Sequence, residues 1–382
     1  MTSAAPHAIA ADAVFDGETV RERYAVVLDG PRIAALAPTH ELPPSMLSET
    51  MPDGMWLAPG FIDVQVNGGG DVLFNNEPTV AGVRAIAAAH RRFGTTALLP
   101  TLITDEPSKM PAAIAAVRQA MALDPAILGI HLEGPFLSPA RPGVHDPAAI
   151  RRPEVSDLEI LTSLGGGVTL VTLAPEEAPP GFVAALAEAG VRVSLGHSGA
   201  TYEQTRQAFA DGLTGVTHLF NAMRPLGSRD PGPIAAALET PGCFYSLIVD
   251  GEHVHPAMLN LALRGAGQPF LVSDAMPPVG GRRTDFTLYG QAIAMRDGRC
   301  VRSDGTLAGA ALDMASAIRN CVTMLGLPLA TALRMATATP ARFLGLADSL
   351  GRLAPGYRAD LVAFTPDTMS AAATWIAGTK FT

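Results

Sequence analysis

The chain has 382 residues, of which 48% are hydrophobic and 16% are charged, and its formal net charge is −9. This composition is typical of a well-buried globular protein and excludes a disordered chain. Lys109 and Lys380 are the only lysines and no basic stripe is present, which argues against a nucleic-acid partner. Cys243, Cys300 and Cys321 share no close metal-type spacing, and their odd number argues against a disulfide framework.

The N-terminal segment MTSAAPHAIAADAVFDGE has no basic region followed by an apolar core, so it does not resemble a signal peptide. No apolar run reaches the roughly 18 residues that a membrane-spanning helix needs. We therefore expect a cytoplasmic protein without a membrane partner.

Both ends of the chain have the character of short strands joined by turns. Residues 1 to about 58 contain AIAADAVFDGETV and YAVVLDGPRIAAL, in which the Asp-Gly and Gly-Pro pairs indicate chain reversals. The segment GRLAPGYRADLVAFTP, from Gly351 to Pro366, has the same character. This pattern predicts one small β-domain assembled from both termini.

The middle of the chain alternates apolar strands with alanine-rich amphipathic segments such as VAGVRAIAAAHRRF, KMPAAIAAVRQAMA and TYEQTRQAFADG. The predicted strands are FIDVQVN, TTALLPT, ILGIHLE, TLVTLAP, VSLGHS, GVTHLF, FYSLIVD and FLVSDA. Repeated strand–helix alternation favours a parallel sheet, and eight such strands predict a (β/α)8 barrel. A doubly wound open sheet is the alternative, but no G-x-G-x-x-G follows an early strand.

Several predicted strands end in polar groups that could react or bind a metal. These are Gln65 and Asn67, Glu133, His197, His218, Asp250 with His253, and Asp274. In a (β/α)8 barrel the carboxyl ends of the strands meet at one mouth. Each histidine alone could be a hydrogen-bonded core residue, and Glu133 could pair with an arginine. Together, Glu133, His197 and His218 form the ligand set of an open catalytic metal site.

Three further residues surround this predicted metal site. Asp274 could exchange a proton with a water beside the metal, or it could cap the turn that follows its strand. His145, in the loop RPGVHD, could donate a hydrogen bond to a developing oxyanion or be a surface histidine. His131 precedes Glu133 by two residues and should face the same side of the strand, as a competitor or a supporting partner. Together these residues indicate metal-assisted hydrolysis.

Over nearly its whole length the sequence resembles the N-acetylglucosamine-6-phosphate deacetylases of the amidohydrolase superfamily. The resemblance is carried, in this order, by LAPGFIDVQVNG, GIHLEGPFLSP, LGHSGAT, THLFNAM, VDGEHV, VSDAM, DGTLAG and GRLAPGYRADLV. It implies an α/β fold, with a (β/α)8 barrel over residues 59–344. It also implies a β-sandwich domain formed by residues 1–58 and 345–382.

The resemblance implies roles for individual residues. Glu133, His197 and His218 match the metal ligands, Asp274 the general base and acid, and His145 the contact with the scissile amide. The implied substrate-binding residues are Val144, His145, Asn221, Ala222, Arg229, Asp250, His253, Leu307, Ala308 and Gly309. Gln65 and Asn67 stand where two-metal relatives carry His-x-His. This Gln-x-Asn pair implies one metal ion per subunit, with both amides left to bond water or substrate.

The implied reaction converts N-acetyl-D-glucosamine 6-phosphate to D-glucosamine 6-phosphate and acetate. The metal would be Zn²⁺, although Fe²⁺, Co²⁺ and Mn²⁺ accept similar ligands. The resemblance also implies a homodimer in which Arg229 or His253 completes the phosphate pocket of the neighbouring subunit. The alternatives are N-acetylgalactosamine 6-phosphate as substrate, a cyclic amide or nucleobase as substrate, or a catalytically silent binding protein.

Overall fold

The computed structural model describes residues 6–381, in which strands and helices alternate through the middle of the chain. The strands are β1 (His7–Phe15), β2 (Val20–Asp29), β3 (Arg32–Pro38), β4 (Leu47–Thr50), β5 (Trp56–Pro59), β6 (Phe61–Val66), β7 (Gly68–Gly69), β8 (Val72–Leu73), β9 (Thr95–Ile103), β10 (Gly129–Glu133), β11 (Val168–Leu173), β12 (Arg192–Leu195), β13 (Gly215–Val216), β14 (Phe244–Leu247), β15 (Gln268–Leu271), β16 (Asp285–Leu288), β17 (Gln291–Arg296), β18 (Arg299–Val301), β19 (Leu307–Ala310), β20 (Leu361–Thr365), β21 (Ser370–Ile376) and β22 (Thr379–Phe381).

The α-helices are α1 (Val80–Arg91), α2 (Lys109–Met121), α3 (Asp157–Leu161), α4 (Phe182–Glu188), α5 (Tyr202–Ala210), α6 (Gly232–Glu239), α7 (Pro256–Ala262), α8 (Met314–Leu325), α9 (Leu329–Ala336) and α10 (Ala338–Leu344). The start of α5 shows how local sequence sets a boundary. Thr201 accepts a hydrogen bond from the backbone N–H of Gln204, and the Gln204 side chain accepts one from the Thr201 N–H. This reciprocal capping box follows from the sequence pattern Thr-x-x-Gln.

A parallel barrel forms the centre of the fold. Its strands are hydrogen-bonded in the order β6, β9, β10, β11, β12, β13, β14 and β15. The first and last strands meet where Val66 bridges to Ala275, which closes the sheet into a (β/α)8 barrel. Strands β6 and β9 are buried along their whole length, as parallel strands covered by helices must be. The predicted fold class is confirmed, and each of the eight predicted strands is present.

Strands from both chain ends form a separate sheet. Its order is β22, β21, β20, β5, β1, β2 and β3, and β4 pairs with β1. Because side chains alternate along a strand, Ile9 packs in a buried cluster with Trp375, whereas Ala8 and Ala10 pack in a second cluster with Val27. The prediction of a β-domain built from both termini is confirmed.

An antiparallel sheet of β16 to β19 follows the last barrel strand. Two of its turns, Tyr289-Gly290 and Asp297-Gly298, have φ angles of 52°, 72°, 50° and 79°, which are typical of the tight type I′ hairpin turns. Leu288 and Ile293 of this sheet pack in one buried cluster with Ile103 and Met276. The sequence analysis did not predict this sheet, although Asp-Gly between two alternating segments is a recognised hairpin signal.

The chain separates into two compact units. One contains residues 1–63, 90–97 and 313–382, and the other contains residues 64–89 and 98–312. The domain limits expected from the sequence, 1–58 with 345–382 and 59–344, stay a prediction. None of the helices between residues 6 and 381 is long and apolar enough to cross a membrane.

Candidate active site

Four candidate side chains lie at the carboxyl ends of barrel strands. Glu133 is the last residue of β10, and His197, His218 and Asp274 follow β12, β13 and β15. These three have φ angles of 49°, 35° and 49°, a left-handed conformation that costs a non-glycine residue roughly 1–2 kcal/mol. The strands predicted as VSLGHS, GVTHLF and FLVSDA are therefore too long, because the backbone leaves the β conformation before it reaches each functional residue.

Glu133, His197 and His218 form a buried cluster suited to a metal ion. Their candidate ligand atoms all lie within 4.8 Å of one another. Glu133 Oε1 is 3.1 Å from His197 Nε2 and 2.8 Å from His218 Nε2, and the two Nε2 atoms are 3.2 Å apart. Two imidazoles and one carboxylate leave a coordination position open, as catalytic zinc sites do.

Hydrogen bonds orient these ligands. His197 Nδ1 lies 3.0 Å from the carbonyl oxygen of Arg141. Because a carbonyl can only accept, Nδ1 carries the proton and Nε2 keeps its lone pair. Gln65 Nε2 donates to Oε2 of Glu133 at 3.1 Å, which leaves Oε1 on the side of the histidines. The residue types and their orientation therefore fit a divalent cation.

The charges of the cluster also fit a cation. Burial alone would raise the pKa of Glu133, but its close contacts with the imidazoles of His197 and His218 hold it well below its usual value. Burial lowers the pKa of His218, but its hydrogen bond with Glu133 raises the pKa above the ordinary value. A proton and a metal ion thus compete for the same nitrogen of His218, as is general for histidine ligands.

Asp274 lies beside this cluster and is 9% exposed. Its Oδ1 accepts hydrogen bonds from Asn67 Nδ2 at 2.6 Å and from Gln65 Nε2 at 3.2 Å. Burial and the negative charge of Glu133 raise the pKa of Asp274 to about 6. A carboxyl group with this pKa is ionised at neutral pH and is well suited to accept a proton and return it.

His145 also lies beside the cluster. Its Nε2 is 4.0 Å from Glu133 Oε1, and its ring packs edge-on against His197 with centroids 4.4 Å apart. The backbone N–H of Thr104 donates to Nδ1 of His145 at 3.3 Å. Burial and the neighbouring histidines hold the pKa of His145 well below its usual value, so its imidazole is neutral. His145 is therefore a buried site residue and not a surface histidine.

His131 belongs to a polar layer inside the barrel. Its Nδ1 donates to the carbonyl of Val64 at 3.0 Å, and its Nε2 accepts from the hydroxyl of Thr172 at 2.7 Å. The Thr172 hydroxyl is bonded in turn to that of Thr217 at 2.7 Å. Burial lowers the pKa of His131 to about 4. Both ring nitrogens are engaged, so His131 does not compete with Glu133 for a metal.

A cavity of about 240 Å³ opens onto these groups. Besides the metal-ligand cluster, the predicted residues that line it are Asn67, Val144, His145, Asn221, Ala222, His253, Asp274, Leu307 and Gly309. The loop before His145 passes very close to His197. A Cβ on Gly143, whose φ is +57°, would lie 3.0 Å from Cε1 of that histidine.

Four predicted residues do not line the cavity. Gln65 is buried behind the cavity, and Ala308 packs in the cluster of the β16–β19 sheet. Asp250 lies behind His253 and accepts a hydrogen bond from its Nδ1 at 2.6 Å. Although burial alone would raise the pKa of Asp250, this bond holds it below its usual value. Arg229 is exposed in the loop that follows Met223.

Sequence reasoning missed several residues of the site. Ile103, Ile248, Met276 and Thr306 line the cavity. Arg141 contacts His197 through its backbone carbonyl, which any residue type possesses, and Thr104 contacts His145 through both its backbone N–H and its hydroxyl. Thr306 could have been found, because it directly precedes Leu307 in the DGTLAG motif.

The parallel barrel, with one buried carboxylate and two imidazoles at the carboxyl ends of its strands, is typical of hydrolases that bind a catalytic metal ion. The sequence model of the amidohydrolase family matches residues 56–380. The chain belongs to the amidohydrolase family, and this confirms the predicted superfamily.

Individual relatives are similar over most of their length. The N-acetylgalactosamine-6-phosphate deacetylase of Shewanella sp. (strain ANA-3) is 44% identical, over 84% of this chain and 82% of its own. The N-acetylglucosamine-6-phosphate deacetylase of Haemophilus influenzae is 35% identical, over 90% of this chain and 91% of its own.

Solved structures show the same similarity. The N-acetylglucosamine-6-phosphate deacetylase from Pasteurella multocida superposes with a TM-score of 0.94 at 34% identity, over 98% of this chain and 99% of the other. The corresponding enzyme from Mycobacterium smegmatis gives a TM-score of 0.90 at 34% identity, over 98% and 100%.

Proposed function

We propose that this protein hydrolyses the N-acetyl group of N-acetyl-D-glucosamine 6-phosphate, producing D-glucosamine 6-phosphate and acetate. The observation that carries the proposal is the convergence of Glu133, His197 and His218 with Asp274 and His145 on one cavity. Relatives named as deacetylases of this substrate, 35–37% identical over 84–90% of this chain, support the same reaction.

The catalytic steps follow from the positions of these side chains. A divalent cation at Glu133, His197 and His218 would lower the pKa of a water molecule and polarise the amide carbonyl. Asp274, held ionised by the Asn67 amide, accepts a proton from the attacking water. It then returns that proton to the nitrogen of the departing amine, which breaks the C–N bond.

His145 acts on the carbonyl oxygen. Because Nδ1 accepts a hydrogen bond from the Thr104 N–H, the proton of the neutral ring is on Nε2. The Nε2–H group can donate a hydrogen bond to the developing oxyanion. Loss of one such donor typically slows the chemical step by about 10²- to 10³-fold. His145 therefore stabilises charge and does not serve as the base.

We further propose one metal ion per subunit, with Zn²⁺ as the physiological ion. The ligand set suits Zn²⁺, although availability can select other divalent ions. Gln65 and Asn67 direct their amide nitrogens at the carboxylates of Glu133 and Asp274. An amide carbonyl oxygen is a poorer ligand for Zn²⁺ than the imidazole of a His-x-His pair, so we do not expect these two side chains to form a second metal site.

The substrate-binding residues are proposed to divide into two groups. Val144, Asn221, Ala222, Leu307 and Gly309 line the cavity and would enclose the sugar, with Ala308 supporting that wall. His253, oriented by Asp250, would contact the phosphate. Arg229 is exposed, and its guanidinium would bind phosphate oxygens in the neighbouring subunit of a homodimer. A cytoplasmic location stays the prediction made from the sequence.

N-Acetylgalactosamine 6-phosphate is the second candidate substrate. The specific observation in its favour is the 44% identity to the Shewanella enzyme that is named for it. The two sugars differ at one hydroxyl group, and Thr306 contributes a polar side chain to the cavity wall.

The deciding experiment measures acetate release from the gluco and galacto 6-phosphates and from unphosphorylated N-acetylglucosamine, with the protein loaded with defined metals. We expect the highest kcat/KM on N-acetylglucosamine 6-phosphate. A preference for the galacto compound would select the second candidate. If none of these substrates releases acetate, both proposals are wrong.

A further inference from the structure

The ring of His145 is fixed by contacts with Thr104. Its Nδ1 lies 3.3 Å from the backbone nitrogen of Thr104 and 2.8 Å from the Thr104 hydroxyl oxygen. A backbone N–H can only donate, so Nδ1 must accept and the proton of the neutral ring must be on Nε2. The rotational state and the tautomer of His145 thus depend on where the Thr104 peptide lies.

The backbone on both sides of the Thr104 N–H is held by side-chain hydrogen bonds. Asn75, which is buried, accepts a hydrogen bond from the N–H of Ile103 at 3.1 Å and donates to the Ile103 carbonyl at 2.9 Å. The hydroxyl of Tyr289 donates to the carbonyl of Thr104. The segment that carries the critical N–H is therefore fixed just before it by Asn75 and just after it by Tyr289.

The β16–β19 sheet supplies contacts on both sides of His145. Tyr289 lies in the turn between β16 and β17, and Arg302 lies between β18 and β19. Arg302 Nη2 donates to the carbonyl of Val144 at 2.8 Å, directly before His145. Val144 and Tyr289 also pack against the buried cluster of this sheet. The sheet thus holds the histidine both through the Thr104 peptide and through its own loop.

We propose that Tyr289 and Thr104 are positioning residues that hold His145 with its Nε2–H directed into the cavity. The inference rests on the proposed function, in which that N–H donates to the oxygen of the scissile amide. Without the Tyr289 hydroxyl, the Thr104 carbonyl loses a hydrogen-bond donor, and the segment is less restrained on the side opposite Asn75. A displacement of about 1 Å in a catalytic group can lower a rate by about 100-fold.

The test compares Tyr289→Phe and Thr104→Val with a matched control, Tyr245→Phe. Tyr245 is buried, whereas Tyr289 is partly buried. The Tyr245 hydroxyl likewise donates to a backbone carbonyl, that of Ala262 at 2.7 Å, away from the residues that line the cavity. We expect Tyr289→Phe, and Thr104→Val through loss of the hydroxyl beside His145 Nδ1, each to lower kcat about 10-fold or more, with KM changed less than about 3-fold. The control should retain wild-type kcat.

A double-mutant cycle separates positioning from a general structural effect. In a His145→Gln background, Tyr289→Phe should have almost no further effect on kcat, because the group on which it acts has been removed. An equal loss of kcat in both backgrounds, or an unchanged kcat for Tyr289→Phe alone, would overturn the proposal.

A second readout does not depend on activity. In protein with ¹⁵N-labelled histidine, the His145 signals, assigned by their loss in His145→Gln, should show an unprotonated Nδ1 and a protonated Nε2. Tyr289→Phe should broaden or shift them, and Tyr245→Phe should not. A protonated Nδ1 in the wild type would refute the assigned orientation. Absence of acetate release with the expected NMR pattern would contradict the proposed function alone.

Discussion

Asn67 donates a 2.6 Å hydrogen bond from its side-chain amide to Oδ1 of Asp274. This bond stabilises the ionised carboxylate, whose pKa burial and Glu133 raise to about 6. Asp274 must be ionised to accept a proton, so kcat/KM should fall as the pH drops through about 6. Asn67→Ala removes a donor and should raise the pKa further, which moves this acid limb to higher pH.

The measurement is the pH profile of kcat/KM for Asn67→Ala beside the wild type. Asn260→Ala in α7 serves as the control, because Asn260 does not line the cavity and its loss should leave the profile unmoved. An acid limb at the same pH in Asn67→Ala would mean that another group limits the rate.

Asp274→Asn should abolish turnover and leave the metal content near normal. The substitution preserves the shape of the side chain but removes the proton acceptor, and Asp274 lies outside the Glu133–His197–His218 cluster. Acetate release and metal analysis on the same preparation check both parts. Turnover above about 1% of wild type would show that a different group moves the proton, since loss of general acid–base catalysis typically costs 10²- to 10⁴-fold.

One tightly bound metal ion per chain is expected after dialysis against metal-free buffer. His197→Ala and His218→Ala each remove one of three ligands and should lose the ion. His253→Ala should retain it, because His253 bonds to Asp250 and not to the cluster. Elemental analysis of the four proteins provides the test. A stoichiometry of two would contradict the proposal of one metal ion per subunit.

Arg229→Ala should weaken the phosphorylated substrate by about 10-fold or more in kcat/KM, as expected for a lost bidentate charge-assisted contact. Unphosphorylated N-acetylglucosamine should be affected much less. Arg206→Ala is the control, because this arginine pairs with Glu239 on the surface. Steady-state kinetics on both sugars provide the measurement. An equal decrease in kcat/KM for the two sugars would show that Arg229 does not bind the phosphate.

Gly143→Ala should lower metal affinity. Its new Cβ would lie 3.0 Å from Cε1 of His197 and would push against a ligand. Gly190→Ala is a matched control, because Gly190 also has a positive φ, +82°, but no atom within 4 Å of the added Cβ. Competition with a chelating dye measures the difference. Similar affinities in the two variants would show that the contact between the added Cβ and His197 does not weaken metal binding.

The barrel and the metal cluster could be predicted from sequence for a physical reason. Buried parallel strands are nearly continuous apolar runs, so a carboxylate or imidazole at the end of a run stands out. Glu133 and His197 were identified in this way. The left-handed φ of His197 could not be predicted, because histidine adopts this conformation only rarely even though it does so more often than most non-glycine residues.

The supports of His145 could not be predicted either. Thr104 contacts His145 through its backbone N–H and its hydroxyl, and Tyr289 reaches Thr104 from 185 residues further along the chain. Such contacts depend on the three-dimensional path of two distant segments, and residue type alone does not reveal them.

The cavity is assembled from two sources. The reacting groups are anchored to barrel strands, whereas Leu307 and Gly309 belong to the antiparallel sheet of residues 285–310. Substitutions in this antiparallel sheet can therefore reshape the wall of the cavity that faces the sugar without altering the metal ligands or Asp274. A change in this sheet can still affect catalysis, because Arg302 donates a hydrogen bond to the carbonyl of Val144, the residue before His145. Exchanging this sheet between relatives named for the gluco and the galacto substrate should therefore alter substrate selectivity, and it should also lower the catalytic rate.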